Sequence, residues 1–297
     1  MRKMNRKCKK NLQTLAKGYA FIGINLIGVL LFWTLPLVLS FIISISKWDL
    51  SKGIAGLHIV GFSNYIEMWK DEWFRASLIN NIIFTVAYVA ILVVLSFIVA
   101  YLMNEYVIGK KLAQLGLYVP YIVNVVAISA VWLALFSNNG PIISFLHFLG
   151  IKNPPVFIAD VHWAMPAMIF ICVWQNLGYT VMLFISGLVN IPRDLYEAAD
   201  IDGANIFAKI RFVTIPMLSG TTFFIVITSV INSFKVFGLI NLITKGGPGT
   251  STTMLVYNIY RTAFQFGKLE FASAQGIVLL LLIFVITWIQ FRAQKDN

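Results

Sequence analysis

The chain has 297 residues, 23 of them Lys or Arg and 12 Asp or Glu, for a net charge of +11. Hydrophobic residues make up 59% and charged residues only 12%, with a mean hydropathy of +0.82. A soluble domain carries about 25% charged residues, so this chain has too little polar surface to cover a globule, and its class is integral membrane.

Basic residues in excess can mark nucleic-acid binding. Here they sit in the termini and in loops between apolar runs, the pattern of anionic lipid and the positive-inside rule. Membrane lipid is an expected partner and nucleic acid is not. Cys8 and Cys172 are too far apart in character, one in a basic stretch and one in an apolar run, to form a disulfide framework. His58, His147 and His162 have no metal-ligand spacing, so no metal is expected.

A spanning helix needs about 20 mostly apolar residues. Residues 1–18, "MRKMNRKCKKNLQTLAKG", are too basic to cross and predict a cytoplasmic N-terminus. The apolar run behind them is too long for a signal-peptide core, and no small-residue cleavage site follows, so the first helix is read as uncleaved. Residues 19–75 hold that helix (19–45) and an outer loop. Five further spans are predicted at about 81–103, 115–136, 162–189, 216–243 and 271–291, within a core of 76–292, followed by a cytoplasmic tail of 293–297. The prediction is an all-α polytopic membrane protein with six transmembrane helices. Lys110 and Lys111 mark one inner loop, and Arg193, Lys209 and Arg211 mark another, which places both termini inside. Gly246, Gly247, Pro248 and Gly249 mark an outer turn.

The inner loop at 192–215 is the most unusual stretch. "DLYEAADIDGANIFAKIRFVTIP" holds Asp194, Glu197, Asp200 and Asp202, a third of all the acids in the chain. Pro192 suits a first helical turn, and Asp194 and Glu197 near the start favour the helix dipole. Leu195, Ala198 and Ala199 share one face, and Glu197 and Asp200 another. Asp202-Gly203 ends the helix, with Gly203 free to take positive φ. A second helix follows, whose Ile206, Phe207, Ile210 and Val213 form an apolar stripe expected to pack on the bundle. Pro216 opens the next span. An amphipathic loop whose acids merely keep it wet is the plain alternative to a partner-docking role.

Glu197-Ala198-Ala199, then Gly203, then Ile215-Pro216 at a helix entry, resembles the "EAA" loop of ABC importer permeases. "GFSNYIEMWKDEWFRASLINNIIFT" and "ITKGGPGTSTTMLVYNIYRTAF" resemble the carbohydrate-uptake branch of that family, which includes the maltose and glycerol-3-phosphate permeases. The resemblance runs from about residue 20 to the end. It implies a type I ABC importer permease fold with a cytoplasmic coupling helix, one half of a two-permease pore in a bacterial plasma membrane. It also implies ATPase-coupling roles for Glu197, Ala198, Ala199, Asp200, Asp202, Gly203, Ile215 and Pro216. The implied partners are a second, homologous permease, two copies of a cytoplasmic ABC ATPase and an extracellular solute-binding protein. The large outer domain of the maltose permease is not expected.

The chain holds no phosphate-binding loop; "GKK" at Gly109 and "GKL" at Gly267 lack the frame. No nucleophile and base pair up on one side of the membrane. It is therefore read as a non-enzyme without a cofactor, ATP and Mg being bound by the partner ATPase. Polar residues inside apolar helices are costly and face a cavity or another helix. Gln175, Asn176 and Tyr179 in the fourth span, and Ser229, Asn232 and Ser233 in the fifth, are the candidate substrate-binding residues; the corresponding stretches line the sugar site of the maltose permease. Trp174 and Phe234 offer aromatic faces. The same side chains serve equally as interhelical glue. Lys235 suggests an anionic group, a carboxylate partner or a snorkelling position. The function read from all this is import of a sugar or oligosaccharide, with a phosphorylated solute such as glycerol 3-phosphate, or a stand-alone secondary carrier, as alternatives.

Overall fold

A computed structural model describes residues 19, 22–106 and 109–295. Cys8 and the basic cluster before the first span lie outside the described residues. The chain divides into two compact units, Met1–Met68 with Thr262–Ile277, and Trp69–Arg261 with Val278–Asn297.

In the first unit, α1 (Ile22–Ser44) is long and apolar enough to cross a membrane, and none of its most hydrophobic window is buried within the chain. Five of its residues, Leu30–Thr34, form a π-helical turn. A small hairpin then departs from the expected helix-only pattern: β1 (Ser46–Trp48) pairs antiparallel with β2 (Leu57–Ile59) in register Lys47 with His58. The intervening turn is closed by Trp48 Nε1 donating to the carbonyl of Gly53, 2.9 Å away, a glycine at φ 59°. Asn64, in α2 (Ser63–Lys70), donates to the carbonyls of Ser44 and Ser46, both 2.8 Å away. The amide thereby fixes the exit of α1 onto the hairpin.

The second unit begins at the end of α2 and with α3 (Glu72–Tyr106), 35 residues and about 52 Å long. It starts nine residues before the expected span, because apolar periodicity marks only the hydrocarbon part of a helix that continues into water. The third span is not one rod. α4 (Lys110–Ile122) and α5 (Val125–Leu135) meet at 96°. Pro120 lacks a backbone donor, and Asn124 Oδ1 accepts from the Val126 N–H at 2.8 Å, starting a new helix. After α6 (Pro141–Phe148) comes α7 (Ala164–Val189), the most enclosed span.

Next lie α8 (Arg193–Ile201), α9 (Ile206–Met217) and α10 (Ser219–Phe234), the last two bent by 67° at Leu218. The fifth span thus starts later and stops earlier than expected; residues 235–237 break the helix, and a π-helical segment, Ile240–Thr244, follows Gly238 and Leu239. α11 (Leu255–Tyr260) precedes α12 (Leu269–Lys295), which enters both units. Four helices are long and apolar enough to cross a membrane, and the two bent pairs pass the same test when each is taken together.

α7 is the centre of this unit. α3 and α4 both pack along it, and small residues set the approach. A Cβ on Gly178 would lie 1.9 Å from the Leu117 carbonyl oxygen, so α4 and α7 touch backbone to backbone there. Toward the acidic loop, Ala100, Met103, Val181, Phe184, Leu188, Ile191, Leu218 and Ile225 form one buried cluster.

Candidate functional site

The acidic loop folds largely against itself. α8 starts at Arg193 with Pro192 as its cap, one position earlier than a first-turn proline. At the far end the N–H of Gly203 donates to Asp200 and that of Ala204 to Ala199, at 3.0 and 2.9 Å. This is the doubled closure of a Schellman motif, and Gly203 has the φ of 72° that it requires. Asn205 Oδ1 then accepts from the Ala208 N–H at 2.9 Å to start α9.

Two side-chain bridges tie α8 to α9. Lys209 pairs with Asp200, and the Tyr196 hydroxyl meets Thr214 Oγ1 at 2.9 Å. Thr214 is fully buried, and Tyr196 packs on the buried cluster below. Glu197, Ala198, Asp200 and Asp202 are exposed, and so is Ile201, at 87%. One expectation is corrected here. Phe207 is 78% exposed and Ile206 is 42% exposed, so only part of the α9 stripe faces the bundle. The Asp200–Lys209 bridge and the Tyr196–Thr214 bond fix the rotation of α9, and that rotation turns Phe207 outward beside α8. The result is an exposed face of two carboxylates, Glu197 and Asp202, with two large apolar side chains, Ile201 and Phe207. Ile215 and Pro216 lie at the end of α9, both exposed.

Beside this face is a polar cleft of about 580 Å³. Asn104 and Glu105 from the end of α3, Lys110, Arg193, Asp200 and Lys209 contribute its charged and polar walls. Lys110 Nζ also donates to the carbonyl of Asn104 at 2.5 Å, which ties the start of α4 to the end of α3 at this wall.

The intramembrane candidates are less uniform. Gln175, Asn176 and Tyr179 are half-buried on α7. Asn176 donates back to the carbonyl of Cys172 at 2.8 Å, which satisfies part of its amide within its own helix. Tyr179 stacks on Tyr121 of α4, ring centroids 4.6 Å apart and planes 9° apart. Trp174 meets Trp132 of α5 edge to face at 5.4 Å. Ser233 is 1% exposed, and its hydroxyl meets Thr85 of α3 at 2.7 Å and the Val230 carbonyl at 2.6 Å. Ser229 is likewise buried. Asn232, one helical face away, is exposed.

Two features went unread in the sequence. Tyr121, next to Pro120 at the helix break, supplies the aromatic partner of Tyr179. Asn80 and Asn81 strap the Gly246–Thr253 turn to α3: Asn80 donates to the carbonyls of Thr250 and Thr253, and Asn81 Oδ1 accepts from Leu255 N–H at 2.9 Å. Thr252 and Thr253 hydroxyls close the same turn onto Gly247 and Gly246. Consecutive amides at the head of an apolar helix were the available signal. Arg261 lies over the Trp73 ring at 3.4 Å on the same strapped region. Burial raises the Tyr257 phenol above its ordinary value there, and the Arg261 charge opposes it.

The whole chain has close counterparts. The lactose transport system permease protein LacF of Rhizobium radiobacter is 30% identical over 289 residues, with 94% of each chain covered. The probable ABC transporter permease protein YesP of Bacillus subtilis is 31% identical, covering 94% of this chain and 90% of its own. The sn-glycerol-3-phosphate transport system permease protein UgpA of Yersinia pestis is 33% identical over 242 residues, 78% of this chain and 79% of its own. A chain in the crystal structure of a bacterial ABC transporter that imports the acidic polysaccharide alginate superposes with a TM-score of 0.85 at 20% identity, over 98% of this chain and 99% of that one. Residues 108–295 match the family described as the binding-protein-dependent transport system inner membrane component. The chain belongs to the family of inner membrane components of binding-protein-dependent transport systems.

Proposed function

We propose that this chain is the permease subunit of an ATP-driven importer for a carbohydrate or sugar-derived solute in a bacterial plasma membrane. The observation that carries this reading is the α8–α9 face. Exposed Glu197, Ala198, Ile201, Asp202 and Phe207 form a mixed acidic and apolar surface on a rigid, self-capped support. Such a surface suits a protein partner better than water or lipid, since lipid tolerates no carboxylates and water gains nothing from two exposed large apolar groups. The partner is a separate ATPase, present twice, which binds ATP and Mg. Its closure moves α8, and Tyr196 passes that movement to the buried cluster between α3, α7 and α10. The helices then rock so that a midplane site opens toward an extracellular solute-binding protein. A second, homologous permease completes the pore. Both termini and the α8–α9 loop lie in the cytoplasm and the Gly246–Thr253 turn outside, six crossings in all.

Carbohydrate as the solute is supported by the names of the relatives, which include a lactose and a glycerol-3-phosphate system. A secondary carrier would need an ion-coupling carboxylate within a span, and the described acids lie in loops, in the short helices α2 and α8, or at the ends of the long apolar helices. The test is purification of the tagged chain from its native membrane, with Glu197→Lys beside it. The wild type is expected to bring down an ATPase subunit. The variant, which sets a cation where an acid should be gripped, is expected to lose it at least about tenfold while inserting normally. Purification without any ATPase subunit would sink the reading.

A further inference from the structure

We infer that the polar cleft beside the α8–α9 loop binds the phosphate headgroup of an anionic phospholipid. A lipid there goes beyond the importer reading and is independent of the ATPase and of the solute. Four helices meet at the cleft by their ends. Asn104 and Glu105 lie at the end of α3, and Leu188 and Val189 at the end of α7. Lys110 opens the bent α4–α5 pair, and Ile206 opens the bent α9–α10 pair. Each is long and apolar enough to cross a membrane, the last two when taken as pairs. The sequence turns polar where the cleft begins, at Met103-Asn104 in α3 and at Val189-Asn190 after α7, and it is basic at Lys110-Lys111, Lys209 and Arg211. The cleft thus lies where four apolar helices give way to polar loops.

Its walls carry two chemistries. Three cations, Lys110, Arg193 and Lys209, share it with two acids, Glu105 and Asp200. Lys209 pairs with Asp200. Lys110 and Arg193 are exposed, and among the described residues neither forms an ion pair. They outnumber Glu105, so the surplus charge is positive. Two exposed aliphatic side chains line the same cleft, Val189 at 69% and Ile206 at 42%. A soluble anion would leave both in water. A phospholipid covers them with the upper part of its chains while its phosphate answers the surplus charge. Basic pockets between membrane-spanning helices bind anionic headgroups in this way. The volume of about 580 Å³ falls within the roughly 300–1,000 Å³ of ligand sites.

The cleft and the exposed acidic face use different stripes of α8. Arg193, Tyr196 and Asp200 line the cleft, three and four residues apart and so on one side of the helix. Glu197 and Ile201 form the neighbouring stripe. A protein that grips acids on one stripe and a lipid that answers cations on the other do not compete. A phosphate held by both Lys110 and Arg193 would link the start of α4 to the start of α8.

The test is native mass spectrometry of the full chain, purified in mild detergent with any subunits that accompany it. The probes are dioleoyl-phosphatidylglycerol, dioleoyl-phosphatidylcholine and inorganic phosphate. Phosphatidylglycerol should be retained at least about fivefold better than phosphatidylcholine, and inorganic phosphate in large excess should not displace it. Arg193→Gln and Lys110→Gln should each lower that retention about fivefold, as expected for one basic residue at an anionic headgroup. Arg193→Lys should keep most of it. Arg211→Gln, on the same loop but not lining the cleft, should leave it unchanged. Equal retention of the two lipids, displacement by inorganic phosphate, or unchanged retention when both Arg193→Gln and Lys110→Gln are present each overturns the inference. So does loss of an accompanying protein subunit from Arg193→Gln with lipid retention intact, which would make the cleft a protein interface. The importer reading fails separately, on purification without an ATPase subunit.

Discussion

Replacing Gly178 with alanine tests the close crossing of α4 and α7 beside the Tyr121–Tyr179 stack. The new Cβ would stand 1.9 Å from the Leu117 carbonyl oxygen and 2.8 Å from Tyr118 Cα. A carbon approaches a carbonyl oxygen no closer than about 3.3 Å without strain, so the helices must part by more than about 1 Å. Neither obstacle is a flexible side-chain tip; both are backbone. Overpacking of this kind costs about 1–3 kcal/mol. The Tyr121–Tyr179 stack, worth roughly 0.5–1.5 kcal/mol, lies one turn away and would be pulled open as well. The expected loss is therefore about 1.5–4.5 kcal/mol, the sum of these two ranges. The assay is thermal unfolding of the purified chain in detergent, with Gly116→Ala alongside. Gly116 is on α4 with nothing within 4 Å of its Cβ position, so alanine there should stabilise by up to about 1 kcal/mol through helix propensity. Opposite signs are expected. Equal stability of the two variants would refute the backbone contact.

Two more perturbations read other parts of the chain. Asn81→Leu removes the fully buried acceptor of the Leu255 N–H; about 1–3 kcal/mol should be lost, with the Gly246–Thr253 turn becoming cleavable by protease, and an unchanged digestion pattern would remove its strapping role. Gly203→Pro abolishes both the N–H given to Asp200 and the φ of 72°. Amide exchange at 195–204 should accelerate and uptake fall at least about tenfold while the spans stay inserted; normal uptake would show that the α8 cap does not matter.

Hydropathy picks out long apolar helices because the cost of polar backbone and charge in lipid leaves few options. It failed where a span is broken. Pro120 and Asn124 are ordinary in an apolar window of 115–136, yet they turn the chain by 96°. It also failed at the end of the fifth span, where "KVFGLINLIT" reads as one apolar run but folds as a helix break and a π-helical segment. The acidic loop was legible in more detail. Asp202-Gly203 announced its stop, because only glycine takes that φ cheaply. The outward swing of Phe207 was not legible, since it follows from two bridges, Asp200 to Lys209 and Tyr196 to Thr214, that join residues 9 and 18 positions apart. The same limit applies to Ser233 and Asn232. Adjacent in sequence and alike in chemistry, they part company only once Thr85 of α3 takes the Ser233 hydroxyl.

The doubled closure at Gly203 has a kinetic meaning. A segment that must order itself on meeting its partner adds a side-chain and backbone entropy penalty to every encounter. Here Ala204 and Gly203 already return their amides to Ala199 and Asp200, and Asn205 starts the next turn. A partner that docked on this loop would meet a finished key. A force on one end of α8 would move the loop as a unit instead of being absorbed as slack.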